Sequence, residues 1–567
     1  MEKRMLLAIV LSVAIMVIWT YLFQPQNQPG PVKNQKIGTS MPVSPIAERF
    51  NENNEKGMLT AENMDTSFLI NEIEKKEVIL ENQLIKIIFT NLGGIIKQVS
   101  LKKYNDNKNE NIKLIDLNEK NNFYPLGIYL NEAALDKELN FKLWDVEIKK
   151  EDHKSIINFS YTINKTQNTN LPYLKFIKEF TLEDNSYLVS IKIKIINLDN
   201  SEHLVADHKL LWEPLLNDTE IGISENSIVT CIANKVKHHT IHKIEKSESF
   251  PIDNVDISKN NNNWISIANK YFVCVFLPGE DTKSLFIDKT NKDEKNLCNI
   301  GLVMKSKTLS PGAEIEEKTE IYIGPKEYEK LSTLGKSLEE NINFGFFGFM
   351  SKGLLIVLRY LFSLVHNYGM GIIIITIIIK IIFMPLTEKS HISMKKMQGI
   401  QGEVEILKQK YKSDAQRLNA EIMKLYKDKK VNPFGGCLPM LVQIPIFLAF
   451  YNTLNNAIEL RHAPFIWWIT DLSKPDTITH IGSIAINILP IFMLVSMVFQ
   501  QKMTAHNNPK STKDEKLQQN FLLFGLPVIF GVMFYKMPSG LVLYWFLNNV
   551  LTIIHQYFIN KKIALQS

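Results

Sequence analysis

The chain opens with a nearly unbroken apolar run at residues 5–23, preceded by Lys3 and Arg4. At about 18 residues it is long for a signal-peptide core and about long enough to cross a bilayer. The sequence QPQNQPGPV follows, with no small-x-small cleavage pattern. We read an uncleaved transmembrane anchor at 1–23, its basic end in the cytoplasm and the chain leaving on the far side. Residues 24–77 mix Pro25, Pro29, Pro31, Pro42 and Pro45 with Asn, Gln, Lys and Glu. Such a composition buries no core and predicts a flexible tether on that far side.

From 78 to 345 the pattern becomes one of short alternating or apolar runs. QLIKIIFT (83–90), SIINFSYTI (155–163), KFIKEFTL (175–182), YLVSIKIKIIN (187–197) and YFVCVFL (271–277) predict strands. In the fourth, Val189, Ile191, Ile193 and Ile195 share one face, and Ser190, Lys192 and Lys194 take the other. Many short strands punctuated by Asn, Asp and Gly predict an all-β sandwich of antiparallel sheets. Two clusters invite a chemical reading. His238, His239 and His242 lie in KVKHHTIHK, but strand alternation sends the first two to opposite faces, so a solvated basic edge is preferred to a metal site. Asp207, His208 and Glu213 in ADHKLLWEP have no further motif to support paired-carboxylate chemistry. A binding or spacing module is expected rather than an enzyme.

Apolar periodicity returns near 346. Residues 346–367 place Lys352, Arg359 and His366 seven apart on one helix face. A spanning helix would bury Arg359 near its centre, whereas one lying in the interface keeps all three wet, so an interfacial amphipathic helix is predicted. Five spans are then expected at 369–387, 436–456, 482–500, 521–536 and 540–559, making six with the anchor. Segment 388–432 carries eleven Lys and Arg, loop 501–520 carries four, and the tail 561–567 has Lys561 and Lys562. Loop 457–481 has only Arg461 and Lys474 against three acids, and the MPSG turn at 537–540 has no charge. Positive loops alternate with poor ones, which puts both termini in the cytoplasm and the β domain outside.

Segment 388–432 predicts a helical hairpin. Met397, Ile400, Val404, Leu407 and Tyr411 form one apolar row, and Ala415, Leu418, Ile422 and Leu425 the other. Ser413 and Gln416 form a capping-box pattern for the second helix. A solvated basic hairpin and a docking arm for a nascent chain both fit, and the residues do not separate them.

Lys380 lies within the 369–387 segment, roughly eleven residues in. An ammonium at the centre of a span costs about 2.5–3.5 kcal/mol on insertion scales, so it asks for a function. Snorkelling to the cytoplasmic end is the competing account. Thr376 is on the same helix face, and the other spans offer Gln443, Asn452, Asn455, Ser496, Gln500 and Asn548. Together these residues predict a wet interior around one positive charge. No span carries an acid. That weakens the rival readings of a small-solute transporter or channel; a second rival, an anchored envelope enzyme, would draw on the β domain alone. The net charge of +6 over 567 residues does not suggest nucleic acid. Four cysteines without C-x-x-C spacing exclude a disulfide framework and leave one bridge among Cys231, Cys274 and Cys298 open. No G-x-x-x-x-G-K-[ST] motif is present.

The segments 369–387, 431–451 (VNPFGGCLPMLVQIPIFLAFY), 459–472 (ELRHAPFIWWITDL), 538–546 (PSGLVLYWF) and 553–557 (IIHQY) closely resemble the YidC/Oxa/Alb family of membrane protein insertases. NLGGIIKQVSLKKY (91–104) and FYPLGI (123–128) are similar, more loosely, to its Gram-negative members with a large periplasmic domain. The resemblance implies a periplasmic β-supersandwich and a five-helix insertase core in the inner membrane, with a hydrophilic groove closed externally. It places Lys380 where the family usually has Arg, which keeps the charge and loses the planar fork. It makes Thr376 a groove position, and Tyr544 and Trp545 client-contacting aromatics, the second commonly Tyr in the family. It further implies nascent membrane-protein clients, work alone or with the Sec translocon and its accessory subunits, contact with lipids and the ribosome, and no cofactor.

Overall fold

The computed structural model describes residues 74–117, 125–163, 171–212, 216, 226–240, 255–257, 262–289, 298–412, 414–431, 438–504, 517 and 520–564. The expected anchor at 1–23, most of the tether at 24–77, and the loop between 504 and 517 lie outside them. The described residues fall into two compact units, divided between Asn341 and Ile342.

The first unit is built of antiparallel sheets. The largest has nine strands, from one edge Lys235–Thr240, Ser227–Ile232, Trp264–Ala268, Phe272–Leu277, Glu314–Pro325, Leu188–Asn197, Leu174–Glu183, Lys154–Ile163 and Asp145–Glu151. A five-stranded sheet orders Val255–Asp256, Thr282–Lys289, Cys298–Met304, His208–Trp212 and Gly127–Tyr129, and a four-stranded one runs from Glu77–Glu81 through Ile85–Thr90 and Ile95–Asn105 to Asn111–Asp116. Alternation explains the central strands. Val189, Ile191, Ile193 and Ile195 face inward, while Lys192 and Lys194 pair outward across the strands with Glu179 and Glu316 at 3.0 and 3.1 Å. Trp144, Trp212 and Trp264 are fully buried. The helices α1 (Ala133–Phe141) and α2 (Tyr328–Leu334) complete the unit.

Two inward positions hold charge-bearing side chains. Lys178 stands between the buried Phe176 and Phe180, donates to the carbonyls of Gly93 (2.8 Å) and Leu126 (3.0 Å), and sits over the Trp144 ring. Burial pushes its ammonium down to about 7. His208 meets Glu317 at 3.0 Å, each side chain about 1% exposed. The clusters weighed for chemistry resolve differently. Asp207 pairs with Lys283 and accepts from the Ser306 amide. His238 contacts the Glu340 carbonyl and His239 the Thr230 hydroxyl, on opposite sides of the edge strand; Glu213 and His242 lie outside the described residues. Among the described residues no cluster of three or more His, Cys, Asp or Glu could hold a metal ion. Cys231 and Cys274 are buried free thiols.

The second unit is helical: α3 (Gly348–Val365), α4 (Tyr368–Gly399), α5 (Gln401–Lys410), α6 (Ala415–Asp428), α7 (Leu438–Asn456), α8 (Leu489–Thr504), α9 (Leu526–Phe534, preceded by a π-helical turn at Phe521–Gly525) and α10 (Ser539–Ala564). By length and composition two described helices, α3 and α4, could cross a membrane, with shorter apolar helices at Leu489–Met503 and Leu523–Phe534.

Several boundaries differ from expectation. The span expected from 482 starts at Leu489, because Thr477–Ile481 and Ile484–Asn487 pair as a β-hairpin. Helix α4 runs through the expected end at 387 to Gly399, so Met397 belongs to it and not to the hairpin helix. The second hairpin helix is capped by Asp414, whose carboxylate accepts from the Arg417 amide at 3.0 Å, while Ser413 of the expected capping box lies outside the described residues. Asp is as good a cap as Ser. Lys429 and Glu403 join α5 and α6 at 2.7 Å. Residues 342–345 pack with the helices: the Phe344 carbonyl accepts from the Ser351 hydroxyl and the Asn343 carbonyl from Asn456.

Candidate functional site

Helix α4 buries a stripe at Gly369, Ile372, Thr376 and Thr387, while Ile377, Ile381 and Ile382 on its other side are exposed. Lys380 falls in that stripe, half-buried, and its partners come from α10. Its ammonium donates to the Thr552 hydroxyl at 2.6 Å and to Asn548 Oδ1 at 3.4 Å. Among the described residues no carboxylate lies within ion-pairing distance. The charge is thus held by two neutral acceptors one turn apart, which leaves it uncompensated. Toward the C-terminal end of α4, His391 faces His555 of α10 with ring centroids 6.3 Å apart, and Glu388 meets Lys562 at 3.2 Å. A polar line therefore runs between the two helices from Lys380 to the chain's basic end.

Helix α10 meets the other helices with different polar groups. Tyr544 is buried, stacks on Phe450 and receives a hydrogen bond from Gln443, both on α7. Asn549 donates to the Ser496 hydroxyl of α8 at 3.1 Å. Trp545 sits in a cage of Phe447, Phe530 and Phe534, its indole nitrogen buried without a partner among the described residues.

The residues singled out in the sequence thus form pairs, not one cluster. Lys380 joins Asn548, Gln443 joins Tyr544, and Ser496 joins Asn549. Thr376 lies one turn from Lys380, but its hydroxyl donates back to the Ile372 carbonyl at 2.6 Å. Gln500 is half-buried one turn beyond Ser496. Asn452 is elsewhere: its amide lies where a side chain on Gly345 would go, against the turn before α3. Thr552, Asn549, His391 and His555 were missed. The i, i+4 spacing of Asn548 and Thr552 was the available signal for Thr552.

The N-terminal ends of α4, α8 and α10 are tied together by residues 457–476. Asn367 caps α4 and donates to the Phe465 carbonyl at 3.1 Å. Asp476 accepts from the Leu489 and Ile488 amides at the start of α8 and from the Trp468 indole. Ser539 and Gly540, opening α10, donate to the carbonyls of Lys474 (2.7 Å) and Leu472 (3.1 Å). Amides left over at helix starts are satisfied by loop carbonyls and carboxylates, so the segment forms a fixed cap at the end away from the polar line.

Residues 360–566 match the family described as 60Kd inner membrane protein, and residues 77–357 match the YidC periplasmic domain. A protein named membrane protein insertase YidC from Syntrophus aciditrophicus is 34% identical, covering 99% of this chain and 100% of its own. The chain belongs to the YidC family. A YidC from Geotalea daltonii is 33% identical over 99% of this chain and 100% of that one, and a YidC from Endomicrobium trichonymphae 31% identical over 100% and 99%. Among solved structures, galactose 1-epimerase from Lactobacillus acidophilus covers 44% of this chain and 95% of its own at 11% identity and a TM-score of 0.32, a likeness too slight to assign fold or activity. Within this YidC chain, the cap is testable at Gly369, where a Cβ would lie 2.1 Å from the Phe465 ring. Gly369→Ala is expected to displace Phe465 and to destabilise the helical unit by about 1–3 kcal/mol through overpacking. A lowered thermal midpoint of the purified protein in detergent checks this; an unchanged midpoint refutes it.

Proposed function

We propose that the chain inserts integral proteins into the inner membrane by giving the polar end of a client a hydrated stop beside Lys380. The carrying observation is a half-buried ammonium with only neutral partners, on a line of polar groups that continues to the basic end of α4 and α10, opposite the cap at 457–476. In this reading six spans cross the membrane, α3 lies in the interface, both termini face the cytoplasm, and the β unit is a periplasmic supersandwich. Orientation rests on loop charge, and the interfacial place of α3 on Arg359 at its middle, although length and composition would let it cross.

The drive is hydrophobic transfer of the client helix into lipid. The protein lowers the barrier by wetting the polar tail on its way. The apolar stretch of α8 runs only from Leu489 to Phe499 before Gln500, Gln501 and Lys502, roughly 16 Å at 1.5 Å per residue, short of the roughly 30 Å of a hydrocarbon core. Short spans thin the bilayer locally and shorten the client's dry path. Nascent membrane proteins are the clients; the Sec translocon and its accessory subunits, and the ribosome at the basic hairpin, are the partners that fit. Depletion of the protein is expected to leave small two-span clients uninserted, with their periplasmic loops protected from external protease. Normal insertion after depletion would overturn the proposal, and cysteine labelling around Thr376 and Asn548 from the cytoplasmic side tests the groove separately.

A further inference from the structure

The β-hairpin of Thr477–Ile481 and Ile484–Asn487 has no counterpart among the other described helix connections. Gly482, with φ +63°, opens its two-residue turn, a position that favours glycine because the backbone must be left-handed there. The hairpin is anchored. The Tyr535 hydroxyl donates to the Ala485 carbonyl at 2.6 Å, Asn487 donates to the Tyr535 carbonyl at 2.6 Å, and Thr477 donates to Asn487. Its root is shared with a second exposed element, since Asp476 holds both the start of α8 and the Trp468 indole, and Trp467 stacks on Trp468.

What this scaffold presents is apolar. Ile481 and Ile484 face each other across the tip, 70% and 62% exposed, and Trp467 is 84% exposed. A surface of this kind carries a hydration cost unless it has a partner. Helix α8, which begins two residues after the hairpin, continues it with exposed Ile491, Phe492, Val495 and Phe499. On a short span that face meets lipid, and the hairpin prolongs it outward. A two-stranded hairpin leaves outward backbone N–H and C=O groups on its edges to find other partners, as the Ala485 carbonyl does at Tyr535, and those toward the tip suit the interfacial region rather than the hydrocarbon core. Tryptophan belongs at the same depth.

We propose that this hairpin and Trp467 form a finger seated in the lipid interface of the outer leaflet, where it extends the lipid-facing surface of α8 and fixes how deeply the helical unit sits. The proposal rests on the membrane-spanning reading given above. It is tested in the full chain, reconstituted in phosphatidylethanolamine–phosphatidylglycerol vesicles, with Cys231, Cys274, Cys298 and Cys437 replaced by alanine and a nitroxide placed at Ile481→Cys, Ile484→Cys, His480→Cys or Val495→Cys. Collisions with oxygen are expected to exceed those with a water-soluble nickel chelate at 481, 484 and 495, with a lower ratio at 480 on the opposite hairpin face. Nickel prevailing at 481 and 484 while 495 stays lipidic overturns the finger and leaves the membrane reading intact. Exclusion of both reagents at 481 and 484 means a protein covers the tip and also overturns it. Nickel prevailing at 495 overturns both readings together. A benzoylphenylalanine at 481 in the otherwise native chain reads the same contact without the cysteine changes: cross-linking to radiolabelled phospholipid supports the finger, and its absence counts against it.

Discussion

Lys380→Glu is expected to abolish insertion of clients with acidic translocated tails, Lys380→Ala to reduce it by about tenfold to a hundredfold, and Lys380→Arg to preserve it. The alanine figure corresponds to losing a charge-assisted hydrogen bond of roughly 1.5–3 kcal/mol between the ammonium and a client carboxylate. Glutamate goes further, because its charge would repel the tail. Arginine keeps the charge, and the two neutral acceptors, Asn548 and Thr552, demand no particular donor shape. Membrane insertion of an acidic-tailed client against one with a neutralised tail is the measurement. Loss confined to the acidic tail marks an electrostatic role. Equal insertion by the alanine variant would reduce Lys380 to a snorkelling side chain, and failure of both clients would show that the lysine holds α4 to α10 instead.

How much of this could be read from the sequence depends on what each residue's pattern reports. The strand at Leu188–Asn197 was legible because alternation and burial say the same thing there: four β-branched residues go in and two lysines go out. Lys380 was legible because a charge in an apolar run is conspicuous. Its partners were less so, since Asn548 and Thr552 acquire meaning only when α10 turns that edge toward α4, and nothing local fixes the rotation. The hairpin at 477–487 was hidden for a different reason. Its second half, GSIAIN (482–487), is apolar enough to pass as the start of a span, and the turn geometry at Gly482 decides against it. The cap at 457–476 was read as a charge-poor loop and, over 459–472, as part of the family resemblance, but not as a cap, although Asp476 and Ser539 are ordinary helix-start residues. Asn452 was drawn into the groove by its polarity alone, whereas its amide fills the space above a glycine at Gly345.

Least legible of all was the inward charge in the β unit, and it carries the second large prediction. In EIEEKTEIYI, Glu317 reads as one more surface acid, yet it alternates with Ile315, Thr319 and Ile321 on the buried face. Its Oε2 meets His208, and its Oε1 has no partner among the described residues. Burial alone would lower the His208 pKa, but the hydrogen bond and charge of Glu317 outweigh it and raise the net value. His208→Ala removes the partner and leaves a buried, unpaired carboxylate, expected to cost about 3–5 kcal/mol. Replacing the pair together, His208→Met with Glu317→Leu, is expected to recover most of that loss, since an apolar pair needs no desolvation. The pH dependence has a definite sign. A histidine whose folded pKa is raised contributes fully below its unfolded value near 6.5 and loses that contribution as pH climbs through the folded value. Lys178 works the other way, because its folded pKa is pushed down to about 7, so folding becomes easier from there toward the unfolded value near 10.5. The wild type must therefore be compared with the double variant, in which the lysine effect cancels. Urea unfolding of the full chain, followed by near-ultraviolet circular dichroism from the buried tryptophans, should show the wild-type advantage greatest at pH 6 and reduced at pH 9. An advantage that does not change between those pH values would mean that His208 is neutral throughout and that the contact with Glu317 is a hydrogen bond without charge.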